Sequence, residues 1–461
     1  MSVVAAAQRL YRSNSAPFHA PGPRGNFLSG STIAFQKDPI AFLSGVADEY
    51  GPVAKFRVLT DDWYLLTAPE DVYQVLVRQA SRFHKPRLNK RLFSDFMGNG
   101  LVSSDGEHWK RQHKMVLPGF HRRRIDSFGD LMVSLTSEAL DAWEQGDVVD
   151  INRELTDLTL RIIIRTMFGA EVGDGGQRIR DAMAELNAVL VDYINLPIPV
   201  PLWWPSKKNK RKVRAIRDVE DVLFEIVNER RASGEDKGDL LSMMLQMRDD
   251  EEKGMSDKDL RDEGMTLFFA GHETASHSMT WIWHLLAEHP DAAEKVAVEI
   301  DTVLGDEPMT MASLKELPYL EMVVKEGMRL YGAAWMFMRE PVEDVSLPNV
   351  RIPAGAQVAI CPHILHRRPN LFEDPEAFRP ERFTKENEAK IPMGAYVPFS
   401  MGPRVCLGKT FAMAEMRLIL GTILRRFRPV SPPGFVPKPV AQISLHPAEG
   451  MLNVVERRGS R

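Results

Sequence analysis

Two stretches of this chain carry residue types that could do chemistry. The first is FSMGPRVCLG, Phe399 to Gly408, which holds one of only two cysteines. Cys406 lies there between Gly402 and Gly408, two residues after Arg404. A thiolate is a soft ligand, suited to haem iron, iron–sulfur clusters or zinc. Zinc and cluster sites want several cysteines, which leaves haem ligation or nucleophilic catalysis for a lone one. The glycines would let backbone approach a bulky planar group closely, and Arg404 adds positive charge near the sulfur or an anionic cofactor edge. In the segment that follows, Leu407, Phe411, Ala414 and Leu418 form one helical stripe. That places Cys406 at a helix N-terminus, where the dipole and free N–H groups favour a thiolate. A nucleophile would use the same position, but its histidine partner is not legible in sequence.

The second stretch is AGHETAS, Ala270 to Ser276. Glu273 and Thr274 are polar groups in an apolar helical pattern, expensive to bury unless satisfied or used. Gly271 costs about 1 kcal/mol there against alanine. His272, Glu273 and His277 imitate the zinc-protease pattern H-E-x-x-H, but the second histidine comes one position late. Ligands on one helix face need i and i+4, so His277 points elsewhere. Cys361, His363 and His366 lack a nearby fourth ligand, and Cys361 reads as a small buried hydrophobe.

The element that must carry AGHETAS runs from about Ser256 to His289. Ser256 and Asp259 match a capping box, and Pro290 ends the pattern. Its centre is apolar on most faces, so it passes through a core. Helical periodicity dominates from Pro69 to Leu330. Strand signals are confined to a hairpin, PVAKFRV and WYLLTA, to VRIPAGAQVAI, and to the C-terminal region around AQISLHPAEGMLNVVE. The fold class expected is mainly α with a small β portion. The chain has 461 residues, 44% hydrophobic and 26% charged, with net charge −4. That balance argues against nucleic acid as a partner. Two cysteines make no disulfide framework and fit a reducing, cytoplasmic setting. No window approaches the roughly 20 apolar residues needed to cross a bilayer. The start, MSVVAAAQRLYRSNSAP, reads as a frayed segment, giving residues 1–30 as a lead-in and 31–461 as one domain.

The cysteine loop resembles the haem-binding loop of the cytochrome P-450 family, F-x-x-G-x-R-x-C-x-G, through Phe399, Gly402, Arg404, Cys406 and Gly408. Other landmarks follow in order. AGHETAS resembles the oxygen-binding groove of the long central helix, and EGMR supplies an E-x-x-R pair as Glu326 and Arg329. FRPERF resembles the meander motif, with Arg382 as its arginine. GEHWKRQHKMVLPGF resembles the helix that reaches the haem propionates. The resemblance implies a single large domain with the central helix over haem, in a form without membrane anchor or fused reductase.

It also implies roles. Cys406 would be the axial thiolate to the iron of haem b, with Phe399 packed near the sulfur. Thr274 and Glu273 would be the catalytic pair, holding oxygen and relaying protons, with Ala270 and Gly271 forming the groove. Trp109, His113, Arg339 and Arg404 would clamp the propionates; His113 stands where an arginine is common, so its charge would depend on pH. Glu326, Arg329 and Arg382 would form a structural charge network. Gly332-Ala333 replaces a common Pro-Pro, which should loosen the chain there. Ala334, Trp335, Met336 and Phe337 would face the substrate with Phe269 and Ala270.

The activity implied is insertion of one atom of O2 into a lipophilic molecule: a fatty acid, terpenoid or steroid-like compound. Electrons would come from a separate ferredoxin or flavodoxin, for which Lys110, Arg111, Lys114, Arg122 and Arg123 could form a basic docking face. A peroxide-driven peroxygenase or a redox-independent rearranging enzyme is the alternative, and a non-catalytic haem sensor a further one. The stretch Tyr193 to Lys212, with Trp203 and Trp204 beside lysines, allows at most a peripheral membrane contact.

Overall fold

The computed structural model describes residues 20–170, 174–194 and 204–459. The start of the chain and Trp203 lie outside the described residues. Helices dominate and strands are short, as the periodicity predicts. Cα packing groups the described residues into two compact units.

One unit comprises residues 20–89, 334–377 and 386–406. Its centre is a five-stranded sheet made of β1 (Val53–Val58), β2 (Asp61–Leu66), β3 (Phe83–His84), β4 (Phe337–Pro341) and β5 (Gln357–Ile360). The spatial order is β1-β2-β5-β4-β3. The hairpin read from sequence is β1 and β2, antiparallel with Val53 opposite Leu66 and Val58 opposite Asp61. The two residues between them leave no slack, and Leu59 turns at φ 53°. VRIPAGAQVAI forms two short strands, Arg351–Ile352 and β5. Tyr64, Leu66, Leu76, Val358, Ile360, Leu365 and Val397 are all buried in the core beside this sheet.

The other unit comprises residues 90–333, 378–385 and 407–459 as far as they are described. Its axis is the helix Asp257–Glu288, 32 residues long, or roughly 48 Å at 1.5 Å per residue. The Asp259 N–H donates to Ser256 Oγ, and the Ser256 N–H donates to the Asp259 carboxylate, each at 3.1 Å. The capping box is therefore complete. Helices Ile151–Phe168 and Pro318–Tyr331 pack along this axis. At Gly271 the first of them packs tightly against the axis: a Cβ there would lie 2.8 Å from Ile163 Cδ1. The helix-breaking residue is thus kept for close packing. The C-terminal strands pair within this unit, Pro439–Ala441 with Leu445–Pro447 and Leu452–Val454 with Val148–Asp150.

Candidate active site

Cys406 is exposed and Cys361 is fully buried. Burial pushes the Cys361 thiol up to about 12, and its Sγ donates to the Trp335 carbonyl at 3.0 Å. Cys361 is a core residue, as read from sequence. The Cys406 loop is held from several sides within its own unit. The Cys406 N–H donates to the Phe399 carbonyl at 2.9 Å, closing the loop. Gly402 sits at φ 69°, and a Cβ on it would fall 2.0 Å from the Leu76 carbonyl oxygen, so only glycine fits. The Val397 N–H donates to His366 Nε2 at 2.9 Å, anchoring the loop's approach. Ser400 takes the left-handed conformation, φ 61°, a strained position the sequence did not signal.

The helix after the loop begins at Lys409 with Gly408 as its N-cap. Cys406 therefore precedes the cap by two residues, immediately before the helix N-terminus at which the sequence reading puts it. A short 3₁₀ turn, Gly402–Arg404, precedes Cys406 in the loop. Phe411, Ala414 and Leu418 are buried as the stripe predicts, while Leu407 is half-buried.

On the central helix, most side chains from Leu260 to Leu286 are buried, yet Ala270 and Thr274 are exposed, and Leu267 and Gly271 are half-buried. Those four positions follow one another at i, i+3, i+4 and i+7, an open stripe midway along a helix whose other side chains from Leu260 to Leu286, Arg261 and His284 apart, are buried. Thr274 Oγ1 donates to the Ala270 carbonyl at 2.9 Å, which leaves its lone pairs available as acceptors. Phe269 borders the stripe, buried against Phe96 and Phe93 with ring centroids 5.0 and 6.1 Å away.

Glu273 is 8% exposed. Burial alone raises its carboxyl to about 8, so at neutral pH it is mostly a proton donor. Its Oε1 accepts a hydrogen bond from Asn187, a partner 86 residues earlier that no local pattern announces. The neighbouring histidines go to different partners, as their i+5 spacing predicts. His272 Nδ1 lies against the Phe268 carbonyl, and His277 Nδ1 meets Ser444 Oγ at 2.9 Å. Burial lowers them to about 4 and about 3.

Glu326 and Arg329 are completely buried, with Arg329 Nε and a terminal nitrogen donating to the carboxylate at 2.7 and 2.9 Å. Arg382 Nε reaches the same carboxylate at 3.2 Å, and the Arg379 backbone N–H at 2.8 Å. This is a closed buried network, unlike the exposed i, i+3 pairs common on helices.

Trp109 and His113 stand side by side, ring centroids 4.9 Å apart, both half-buried. Arg339 is buried, donates to the Met338 carbonyl at 2.9 Å and covers the Phe337 ring. Arg404 is half-buried in its 3₁₀ turn. Trp335 belongs to the core, whereas Ala334 is exposed and Met336 and Phe337 are half-buried. Gly332 has φ −59°, the value proline enforces, and the Ala333 carbonyl accepts the Leu445 N–H at 2.9 Å.

The suggested basic face is largely spoken for. Arg111 donates to Asp249, Asp259 and the Gly254 carbonyl, Lys114 pairs with Asp250, and Lys110 with Glu107. Arg122 and Arg123 remain exposed. The sequence reading missed these acidic partners because they lie about 140 residues downstream of Arg111 and Lys114.

The cytochrome P-450 family model matches residues 20–454. Cyclooctat-9-en-7-ol 5-monooxygenase of Streptomyces melanosporofaciens is 31% identical, over 93% of this chain and 92% of its own. Pentalenene oxygenase of Streptomyces avermitilis is 28% identical, over 98% of this chain and 99% of its own. The crystal structure of the cytochrome P-450DA haem domain superposes with a TM-score of 0.87 at 25% identity, covering 95% of this chain and 98% of that one. With the cysteine loop, the buried E-x-x-R network and the long capped helix all in place, the chain belongs to the cytochrome P-450 family and is an oxidoreductase of the haem monooxygenase kind.

Proposed function

We propose that the protein inserts one oxygen atom from O2 into a terpenoid, the first choice among the lipophilic classes, using electrons from a separate ferredoxin- or flavodoxin-type donor in the cytoplasm. The observation that carries this reading is an exposed thiol on a loop fixed by Gly402 and by the Phe399 carbonyl. The substrate class is supported by relatives named for cyclooctat-9-en-7-ol and pentalenene, both unsaturated carbocycles. Residues 31–461 would act together as one functional domain.

The residues fit haem b. Cys406, a single soft thiol exposed on a hydrogen-bonded loop, would hold the iron, and Arg339, Arg404, Trp109 and His113 would be donors to the two propionates. When bound, the haem supplies the iron at which O2 is activated. The rest is the work of the chain's own groups. Phe399 fixes the thiol through its carbonyl, and Gly402 and Gly408 keep bulk away. Ala270 leaves room on the helix, and the Thr274 hydroxyl holds a proton at Oγ1 and can pass it on. Glu273, neutral at pH 7, restores that proton from its carboxyl. Phe269, Phe93 and Phe96 offer an apolar wall that excludes water and orients a hydrocarbon.

The test is the visible spectrum of the reduced protein with carbon monoxide. Thiolate ligation with an open sixth position gives a Soret band displaced far to the red of histidine-ligated haem. The band should vanish in Cys406→Ala, and an unchanged spectrum there would refute the assignment. Spin-state shifts on titration with cyclic terpenes, against fatty acids and steroids, then rank the substrate classes.

A further inference from the structure

The first turns of the central helix carry three acids at i, i+3 and i+4, Asp259, Asp262 and Glu263, which share one face. Each holds a different point of the segment that leads into and forms the helix Gly106–Val116. Asp262 accepts the Asn99 N–H at 2.8 Å, Glu263 accepts the Leu101 N–H at 3.2 Å, and Asp259 accepts the Arg111 guanidinium at 3.3 Å. The loop lies directly on the helix. A Cβ at Gly98, whose φ is 55°, would fall 2.0 Å from Asp262 Oδ1, and one at Gly100 would fall 2.2 Å from Thr266 Oγ1. Ser103 Oγ ties the far end of the loop back to the Gly98 carbonyl at 2.7 Å. All these residues belong to one compact unit.

The two acids beneath the loop differ in their support. Asp262 also has cations, Lys258 Nζ at 2.6 Å and Arg261 at 2.9 Å, and Arg261 is shared with Glu220 of the helix Lys207–Ser233. Among the described residues no cation bonds Glu263. Its Oε2 has one backbone N–H, and its Oε1 is buried without a protein partner. The nearby charges, Asp262 and Asp259, are both negative. From the helix Gly106–Val116, His108 meets the Asn99 carbonyl and Arg111 goes to Asp249 and Asp259; Asp105, just before that helix, pairs with Lys90. A buried carboxylate needs a counter-charge or several donors, which a neutral carboxyl does not. The loop therefore closes over a carboxyl that suits its neutral form.

We propose that Asp262 and Glu263 are positioning residues: through loop 98–104 they hold the helix Gly106–Val116, and with it Trp109 and His113, and Glu263 must carry its proton for the loop to stay down. The inference rests on the haem reading for the role of Trp109 and His113, while the loop contacts do not depend on it. Covered by the loop, the Glu263 carboxyl is raised from 4.5 to about 8. Lifting the loop hydrates it and returns it toward the ordinary range, so the closed loop binds the proton more tightly. The hold is greatest at low pH, weakens as pH rises through that window and levels off above it.

Hydrogen exchange of the Asn99 and Leu101 amides in the holoenzyme, corrected for the intrinsic effect of pH, tests the latch. In wild type their protection should fall on the order of 50-fold between about pH 6 and about pH 8. In Glu263→Gln, which keeps a neutral acceptor, it should stay nearly flat. Asp262→Ala should lower protection at both pH values and leave the slope in place. Haem transfer to excess apomyoglobin should accelerate over the same window several-fold more in wild type than in Glu263→Gln, a comparison that cancels any titration of His113. Parallel pH responses of wild type and Glu263→Gln in the exchange data would overturn the latch, and parallel responses in haem transfer would overturn the positioning role. Absence of the red-displaced carbon monoxide band would instead defeat the haem reading and leave the exchange result untouched.

Discussion

At the scale of single residues, the site depends on a few polar groups placed where burial is costly. Thr274 is the clearest case, a hydroxyl exposed on a buried helix and one residue from a neutral carboxyl. Thr274→Ala should cut turnover with reductase and O2 by about 10–100-fold, with more peroxide released, while peroxide-driven turnover falls far less. Equal losses would remove the relay role and favour a peroxygenase. Glu326 is the structural counterpart. Its carboxylate satisfies two guanidinium groups and one backbone N–H in a fully buried position. Removing it takes the carboxylate counter-charge from the fully buried Arg329, so Glu326→Ala should cost about 3–5 kcal/mol. Chemical denaturation checks this, with haem occupancy as a second readout.

At the scale of elements, the cysteine loop and the central helix use glycine for different reasons. Gly402 answers both to φ 69° and to a carbonyl oxygen that cannot yield, because it belongs to packed backbone. Gly402→Ala should destabilise the protein by about 2 kcal/mol or more and lower haem retention, measured by denaturant midpoint and by the ratio of haem to protein. Gly271 answers to a side chain instead of backbone, since an added Cβ would meet Ile163 Cδ1 at 2.8 Å and Cγ1 at 3.2 Å. The first glycine was legible from the motif pattern. The second was legible only as an anomaly in a helix, and its reason emerged from the neighbouring helix.

At the scale of the whole molecule, several carboxyls are buried without a counter-charge, which ties stability to pH. Glu263 is 1% exposed, with Oε2 accepting the Leu101 N–H at 3.2 Å and Oε1 lacking a protein partner. Burial, and then the nearby Asp262 and Asp259, raise it from 4.5 to about 8. The unfolded chain releases this proton near 4.5 and the folded chain keeps it to about 8, so the native state binds more protons across that window. Its contribution to stability is therefore greatest at low pH, declines as pH rises through the window, and levels off above it. Glu263→Gln should match wild type near about pH 4 and exceed it by on the order of 4 kcal/mol near about pH 8.5. Thermal unfolding at the two pH values tests this, and an equal difference at both would refute it.

What the sequence alone determined is what depends on neighbours along the chain. Helical phase sent His272 and His277 to different partners, Ser256 and Asp259 set the start of the long helix, and the spacing around Cys406 singled out the one thiol in a glycine-flanked turn. Tertiary structure alone decided which polar groups are buried and what meets them. It gave Glu273 its partner Asn187, closed Arg379 and Arg382 onto Glu326, occupied Arg111 and Lys114 with distant aspartates, and left Ala270 and Thr274 open. The reason is physical: local propensity and periodicity act over a few residues, whereas desolvation and charge pairing depend on chain segments that meet only once the core has formed.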